Sequence, residues 1–145
     1  MGGKFGVKLE NMRIENNTFI DTTASDYAIG FWNGDPVSVD IQYRNNIFYI
    51  PNCRRVSNYS DFIHEHNLYY LGEKGDPGLE SGKGDLQGNP FFVGMEEKDF
   101  HLQKESPAID TGIDLGYKLD FERKKVPAGK APDIGAYEYE FPTKE

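Results

Sequence analysis

The chain repeats one pattern of apolar and polar positions three times, in the segments "NMRIENNTFI", "VDIQYRNNIFYI" and "DFIHEHNLYYL". Each segment alternates apolar and polar residues, as a half-buried strand does, and then reaches an asparagine that is followed by apolar and aromatic residues. The anchoring asparagines are Asn17, Asn46 and Asn67, spaced 29 and 21 residues apart. Intervals of about 20 to 50 residues are typical of solenoid proteins, in which each repeat stacks on the next.

Alignment on the three asparagines places similar residues in columns. Five residues before the anchor stand Met12, Ile41 and Phe62, and three residues before it stand Ile14, Tyr43 and His64. Two residues after it stand Phe19, Phe48 and Tyr69. Because side chains alternate along a strand, these columns share one face, which we expect to point inward. The column two before the anchor holds Glu15, Arg44 and Glu65, whose alternating charges suit an outer face. The segment "YAIGFW" predicts a further strand between the first two anchors.

A stack of parallel strands explains why an asparagine stands at each turn. Asparagine tolerates left-handed backbone conformations, and its amide can bond both its own backbone and the asparagine one repeat away. We therefore predict an all-β fold, a short parallel β-helix of about three or more rungs. Asn17, Asn46 and Asn67 would form a ladder inside it.

The alternation ends after Leu71. The segment "GEKGDPGLESGKGDLQGNP" is glycine-rich, charged and aperiodic, which indicates a long surface loop. Its "GLESGKG" resembles a phosphate-binding loop only superficially, because the glycine spacing is one residue short and no helix follows. We predict one domain, with rungs in residues 1–72, a loop in 73–90, and a C-terminal rung and cap in 91–145.

The last third contains the segments "SPAIDTG" and "DIGAYEY", the second of which predicts a final strand. Together with "NNTF" and "NNIF", these segments resemble bacterial right-handed parallel β-helix proteins of the pectate-lyase-like superfamily, whose closing segment is often labelled a choice-of-anchor Q domain. The resemblance covers nearly the whole chain. It implies a right-handed β-helix with a C-terminal cap, from a protein that is extracellular or at the cell surface. Members include polysaccharide lyases, hydrolases and adhesins, and the catalytic residues of the enzymes usually lie on middle rungs.

Composition and charge exclude several kinds of function. The 145 residues carry a net charge of −8, which argues against binding of nucleic acid, because phosphate neutralisation requires clustered Lys and Arg. Cys53 is the single cysteine, so neither an internal disulfide nor a cysteine metal site can form. No apolar run approaches the roughly 20 residues that a membrane span requires. The strand pattern already present at Val7 is typical of the C-terminal part of a longer protein.

Four residues are candidates for catalysis: His64, Asp35, Asp61 and Glu65. A polysaccharide lyase needs a base and a cation or metal, and a glycoside hydrolase needs two carboxylates roughly 5 to 10 Å apart. His64 could be the base, but its inward column equally predicts a buried, hydrogen-bonded histidine. Glu65 could be a catalytic carboxylate, but it is also placed to form an ion pair with Arg44.

Carbohydrate binding requires an exposed aromatic ring beside amide or charged groups. Trp32, Asn33 and Asp35, at the end of a strand, meet that requirement, and Arg44 could assist them. The alternative is that Trp32 covers the side of the core.

Many carboxylates lie in the last third, and they allow a calcium site at Asp110, Asp114 and Asp133, since Ca²⁺ prefers oxygen ligands. No known calcium-loop spacing is present, and the alternative is that Asp110 and Asp133 accept backbone N–H bonds in turns. We predict no required cofactor.

Taken together, these patterns predict a β-helix protein that binds or acts on polysaccharide, with this chain itself non-catalytic, as a carbohydrate-binding or structural part. The alternative is a lyase or hydrolase of an acidic or plant-wall polysaccharide. The N-terminal strand edge, residues 4–20, would leave unpaired backbone groups exposed, which predicts a homodimer through that edge.

Overall fold

A computed structural model describes residues 10–29, 39–57, 62–72 and 75–142. Within these ranges the chain is all-β, with eleven strands. Helices are absent from the described ranges, so none there has the length and apolarity to cross a membrane. The strands are β1 (Glu10–Glu15), β2 (Thr18–Ile20), β3 (Tyr27–Ile29), β4 (Val39–Arg44), β5 (Ile47–Tyr49), β6 (Arg55–Ser57), β7 (Ile63–Glu65), β8 (Leu68–Tyr70), β9 (Leu86–Gln87), β10 (Phe92–Gly94) and β11 (Asp99–Leu102).

Nine of these strands form three parallel sheets. Sheet A has the order β1-β4-β7, sheet B the order β2-β5-β8-β9, and sheet C pairs β3 with β6. Consecutive strands therefore belong to different sheets, and the chain returns to each sheet one layer later. We call β1 to β3 layer 1, β4 to β6 layer 2, β7 and β8 layer 3, and β9 layer 4. Together they form the layered part of the molecule.

The strand register confirms the alignment of the three repeats. In sheet A, Met12 pairs with Ile41, and Ile14 pairs with Tyr43, which in turn pairs with His64. In sheet B, Phe19, Phe48 and Tyr69 are neighbours across the strands. These rings also stack with nearly parallel planes. The ring centroids of Phe19 and Phe48 are 4.9 Å apart, and those of Phe48 and Tyr69 are 5.3 Å apart.

The bend between sheets A and B uses two adjacent residues for two tasks. The first residue takes the left-handed conformation, with φ of 54° at Asn16 and 53° at both Asn45 and His66. The second is the anchoring asparagine, whose side chain bonds the next layer. The sequence analysis assigned both tasks to the anchor. The left-handed conformation in fact belongs to the residue before it, and a histidine serves there in layer 3.

The anchoring side chains form a chain of hydrogen bonds through the layers. The amide of Asn17 donates to Asn46 Oδ1 at 3.2 Å, and that of Asn46 donates to Asn67 Oδ1 at 3.0 Å. Asp85 continues the chain, since its Oδ1 accepts the backbone N–H of Asn67 at 2.8 Å. Asn46 and Asn67 are fully buried, so these bonds satisfy polar groups that water does not reach.

Layer 4 corrects one part of the loop predicted at residues 73–90, namely residues 84–87. Gly84, with φ of 70°, occupies the left-handed position, Asp85 the ladder position, and β9 follows in sheet B. The segment "GDLQ" thus repeats the pattern of "NNIF" with a glycine and an aspartate in place of the two asparagines.

Two hydrophobic clusters lie on opposite faces of sheet B. The inner cluster fills the space between the sheets and contains Ile41, Tyr43, Phe48, Ile50, Cys53, Val56, Tyr69 and Leu71. The outer cluster joins Ile47 and Leu68 of sheet B to Phe92, Leu102, Ala108 and Ile134. This explains the apolar pairs after the anchors, because one member of each pair faces inward and the other packs on the following part of the chain.

The C-terminal third differs from the predicted rung and cap. Strands β10 and β11 form an antiparallel hairpin rather than a parallel rung. The C-terminal segment, residues 103–142, lies along the side of the layers, since it contacts Thr18, Asn45 and His66 at the bends of three successive layers. The predicted strand at 133–139 does not form, because Gly135 bonds Asn45 O while Glu138 and Tyr139 bond aspartate side chains.

Candidate binding site

A cleft of about 240 Å³ lies between the bend of layer 1 and the C-terminal segment. Among the described residues, its lining combines aromatic rings with oxygen acceptors and includes no Lys, Arg or His. The lining residues are Glu15, Asn16, Tyr117, Leu119, Asp120, Phe121, Val126, Pro132, Asp133, Gly135, Tyr137 and Glu138. The volume is below the roughly 300–1,000 Å³ of pockets that enclose a drug-sized molecule, so the cleft suits one unit of a larger ligand.

The apolar side of the cleft is presented by a small turn. Leu119 bridges Lys125 in antiparallel fashion, and Asp120 closes the turn by accepting N–H bonds from Glu122 and Lys124. Large apolar side chains stay exposed on this turn, including Phe121 at 77% and Tyr117 at 47% exposure. Neighbouring exposed apolar side chains, unlike scattered single ones, mark a candidate binding surface.

Tyr137 supports Phe121 from below the turn. The two rings meet edge to face, with centroids 5.8 Å apart and planes at 84°. On its other side Tyr137 lies against His101, with ring centroids 4.4 Å apart. His101 Nδ1 is 2.5 Å from Asp99 Oδ1, and its Nε2 is 3.1 Å from Glu122 Oε2. Phe121 is therefore largely exposed and contacts the edge or face of Tyr137 on one side.

Glu15 and Asn16 form the polar side of the cleft. The Tyr117 hydroxyl donates to Glu15 Oε2 at 3.0 Å, and this hydrogen bond raises the pKa of the tyrosine, which keeps it a donor. Asn16 Oδ1 has no hydrogen-bond partner among the described residues, although the atom is buried. A buried acceptor without a partner costs free energy unless a ligand or water supplies a donor.

The remaining carboxylates of the cleft are occupied by the backbone. Asp133 accepts N–H bonds from Asp110 and Tyr139 at 2.7 and 2.6 Å, and Glu138 accepts them from Ala128 and Asp133 at 2.8 and 2.9 Å. Burial raises the pKa of both groups, that of Asp133 to about 7, while the N–H bonds act in the opposite direction. Both oxygens of each group are used inside the protein, so these residues hold the segment together.

The predicted cation Arg44 lies within a partly buried ion-pair column. Its Nε is 2.8 Å from Glu65 Oε1, although not aligned for a hydrogen bond, and its Nη1 is 3.9 Å from Glu15 Oε1. Two carboxylates thus neutralise this arginine, and Glu65 is placed as an ion-pair partner.

His64, the candidate base, is largely buried. Its Nδ1 is 2.6 Å from Asp85 Oδ2, and the same oxygen accepts the N–H of Gly82 at 3.1 Å. The structure brings His64 to the end of the asparagine ladder and not to the cleft.

The aspartates suggested for calcium bond to backbone N–H groups. Asp110 accepts from Lys130 and Ala131, Asp114 accepts from Gly116, and the bonds of Asp133 are those given above. In the described ranges, no group of three or more His, Cys, Asp or Glu side chains is arranged to hold a metal ion. The turn-bonding alternative accounts for the observed contacts.

Several predicted site residues fall outside the described ranges. These are Trp32, Asn33, Asp35 and Asp61. Residues 4–9 of the predicted dimer edge lie outside them as well.

Comparison with known proteins finds no family model that matches the sequence and no curated protein that is significantly similar to it. The superfamily resemblance therefore rests on the quoted motifs.

Of the residues that line the cleft, the sequence analysis singled out Asp133, as a candidate calcium ligand, and missed the aromatic residues. A signal was present in "GYKLDFE", where Tyr117, Leu119 and Phe121 alternate with charged residues. This alternation reads as a strand with one buried face, whereas the structure leaves that face exposed. Glu15 and Asn16 were assigned to the repeat, and their nearness to residues 117–138 depends on a contact between distant parts of the chain.

Proposed function

We propose that this chain is a right-handed parallel β-helix protein that binds polysaccharide at the cleft and does not cleave it. The observation that carries the proposal is the exposed ring of Phe121, in a cleft that Tyr117 and Asn16 also line. Sugars have apolar faces and hydroxyl edges, so an aromatic surface beside polar acceptors is suited to them.

The β-helix architecture is supported by the order of the sheets. Successive strands pass from sheet A to sheet B to sheet C and return to sheet A one layer later. Parallel strands joined in this way by a crossover connection are right-handed in about 98% of proteins. Stacked aromatic rings and the asparagine ladder inside the sheets are also what a solenoid interior requires.

A non-catalytic role is supported by the state of the candidate catalytic groups. His64 is bonded to Asp85 away from the cleft, and Glu65 is paired with Arg44. Within the cleft, Asp133 and Glu138 are buried and have both oxygens bonded to backbone N–H groups. None of these groups is positioned to exchange a proton with a ligand at the cleft.

The proposal is tested by calorimetric titration of the whole chain with oligosaccharides of different classes. We expect binding that Phe121→Ala and Tyr117→Ala weaken. Phe91→Ala, which removes an exposed ring that does not line the cleft, should leave binding unchanged. Incubation should release neither reducing ends nor unsaturated products that absorb ultraviolet light. Binding without cleavage supports the proposal, and cleavage that His64→Ala abolishes would establish the alternative of an enzyme.

A further inference from the structure

Layer 1 contacts a neighbouring layer on one face only. Among the described residues, its strands β1, β2 and β3 each stand at the end of a sheet. Phe48 of layer 2 stacks between two rings and is 1% exposed, whereas Phe19, among the described rings, stacks only on Phe48 and is 37% exposed. Met12 is likewise partly exposed, although its equivalent Ile41 is buried. We call this open face, formed by β1, β2 and Phe19, the layer 1 edge.

The asparagine ladder shows what a layer receives from the layer before it. Asn46 Oδ1 accepts both the backbone N–H and the side-chain amide of Asn17, at 3.0 and 3.2 Å. Asn67 Oδ1 accepts the same two groups of Asn46, both at 3.0 Å. Asn17 is exposed, and its Oδ1 accepts no hydrogen bond from the described residues. The equivalent oxygens therefore indicate that Asn17 Oδ1 is suited to an N–H and an amide of one further anchor.

Other groups of layer 1 indicate the same partner. The N–H groups of Ile47 and Leu68 donate to the anchor carbonyls of the layers before them, each at 2.8 Å. Thr18 is their equivalent in layer 1, and no described anchor lies before it. The amide of Asn46 donates to a carbonyl of layer 1, whereas the amide of Asn17 donates to Glu15 O in its own layer.

A second copy of this chain does not supply these groups. Stacked head to tail, it would present Asp85 to Asn17, but a carboxylate has no N–H, and the backbone N–H of Asp85 already donates to Gly82 O at 3.1 Å. A two-fold pair would join its edges antiparallel, whereas the ladder joins parallel strands. Residues 1–9 contain no asparagine and are fewer than the 18 to 29 residues between successive anchors.

We propose that the layer 1 edge binds an extended segment of another polypeptide, which adds in parallel to β1 and β2. The segment has an asparagine whose N–H and amide donate to Asn17 Oδ1 and whose carbonyl accepts the N–H of Thr18. Two positions later it has an aromatic residue that stacks on Phe19. Strand addition of this kind combines main-chain hydrogen bonds with side-chain pockets, and it is independent of the cleft.

The test uses a labelled synthetic peptide of residues 10–21, "ENMRIENNTFID", which in the protein forms layer 1 on top of layer 2. Because layer 1 presents the same groups as layer 2, the peptide should bind the full chain in fluorescence anisotropy. We expect a Kd of about 10 µM to 1 mM, since ordering of the flexible peptide offsets much of the interaction. Hydrogen exchange at the Thr18 amide of the protein should slow on binding.

Substitutions in the peptide and in the protein locate the contact. In the peptide, Asn17→Gly should weaken binding about fivefold, because it removes the amide donor, whereas Asn11→Gly at an exposed asparagine should have no effect. In the protein, Asn17→Gly and Phe19→Ala should each weaken binding about three- to tenfold. Phe91→Ala, which removes an exposed ring outside layer 1, is the control.

Binding that requires Asn17 on both partners and protects Thr18 supports the inference. Absence of binding up to about 1 mM peptide, or equal losses for the two peptide substitutions, overturns it. Tighter binding to the Asn17→Gly protein also overturns it, because the peptide would then be replacing layer 1 on Asn46. Self-association of the chain alone, with Thr18 already protected, would assign the edge to a second copy instead. If Asn17→Gly lowers the Tm of the protein, the peptide pair decides, since it leaves the protein unchanged.

Discussion

The layered part and the C-terminal segment pair their buried backbone groups in different ways. In the layered part, each strand bonds the strand one layer away, and a single column of side chains from Asn17 to Asp85 completes the bends. In the C-terminal segment, individual carboxylates bond N–H groups that have no strand partner, as Asp133 and Glu138 do.

This difference determines how the two regions respond to change. A residue of the layered part contacts its equivalents above and below, so its loss disturbs two neighbours at once. A carboxylate of the C-terminal segment stabilises one local turn, and the strength of its hydrogen bonds depends on whether the carboxyl group is protonated. We therefore expect the layered part to be sensitive to side-chain truncation and the C-terminal segment to be sensitive to pH.

The largest effect is expected from truncation inside the layers. Phe48 is almost fully buried and stacks between Phe19 and Tyr69. Phe48→Ala should lower the free energy of unfolding by about 3–5 kcal/mol, since it leaves a cavity on two sides. Chemical denaturation measures the change. Phe121→Ala, the same substitution at an exposed ring, is the control and should be neutral within error; equal losses at the two positions would contradict the assignment of inner and outer faces.

The layers were predictable from the sequence because their contacts repeat. Once Asn46 and Asn67 were aligned, the register of every neighbouring column followed, including that of Tyr43 with His64. Layer 4 was not predicted because it consists of only a few residues and has Gly84 and Asp85 in place of the two asparagines. Gly84 and Asp85 meet the same physical requirements as the asparagines, a residue in the left-handed conformation followed by a hydrogen-bond acceptor, although the residue types differ.

The cleft was not predictable in the same way. Its two sides come from Glu15 and Tyr117, which are 102 residues apart, and no repeat relates them. Alternation such as that of "YKLDF" is typical of a strand with one buried face, but the turn around Asp120 leaves that face exposed. Sequence periodicity reports the contacts of a strand with a core and does not report which distant segment lies beside it.

A second effect is expected from the asparagine ladder. Asn46 accepts from Asn17, donates to Ile14 O at 2.7 Å and donates to Asn67. Asn46→Ala should cost about 2–3 kcal/mol, because it leaves several buried groups without partners. Asn46→Asp should cost as much, since a carboxylate cannot donate. Asp85→Asn at the end of the ladder should cost less, because the amide oxygen still accepts from Asn67 and the change is limited to the contacts of Oδ2 with Gly82 and His64. The same substitution in a His64→Ala background separates the loss at the ladder from the loss at His64.

The effect of pH between about 4 and 7 should be largest in the C-terminal segment. Burial raises the pKa of Asp133 from 3.8 to about 7, so between these values the native state keeps a proton that the unfolded state releases. Stability should therefore fall as pH rises from about 4 to about 7, by a few degrees in Tm. Hydrogen exchange should show faster opening of residues 128–139 over this range.

Asp133→Asn is the control for that pH dependence. It should lower Tm at all pH values, because the N–H of Tyr139 or of Asp110 would lose its acceptor. It should also reduce the decline between pH 4 and 7, leaving the part that comes from Glu138, whose pKa burial raises as well. Burial opposes the charge of His101, but Asp99 and Glu122 outweigh this and raise its pKa from 6.5, so its stabilising contribution is lost as pH rises above that value. An undiminished decline in Asp133→Asn below pH 6 would assign the effect to other groups.

The smallest expected effect separates two ion pairs on the outer face of sheet A. Arg44 is 25% exposed and lies between Glu15 and Glu65, whereas Arg13 is 38% exposed and pairs with Asp40 at 2.8 Å. Arg44→Ala should cost about 1 kcal/mol, because it leaves two partly buried carboxylates without a counter-charge. Arg13→Ala should produce no measurable change. Tyr117 of the C-terminal segment bonds Glu15 at that end of the sheet. Tyr117→Ala should therefore leave Glu15 and Arg44 more exposed to water and reduce the cost of a subsequent Arg44→Ala. If the two arginine substitutions cost the same in both backgrounds, the C-terminal segment does not shield the outer face in solution.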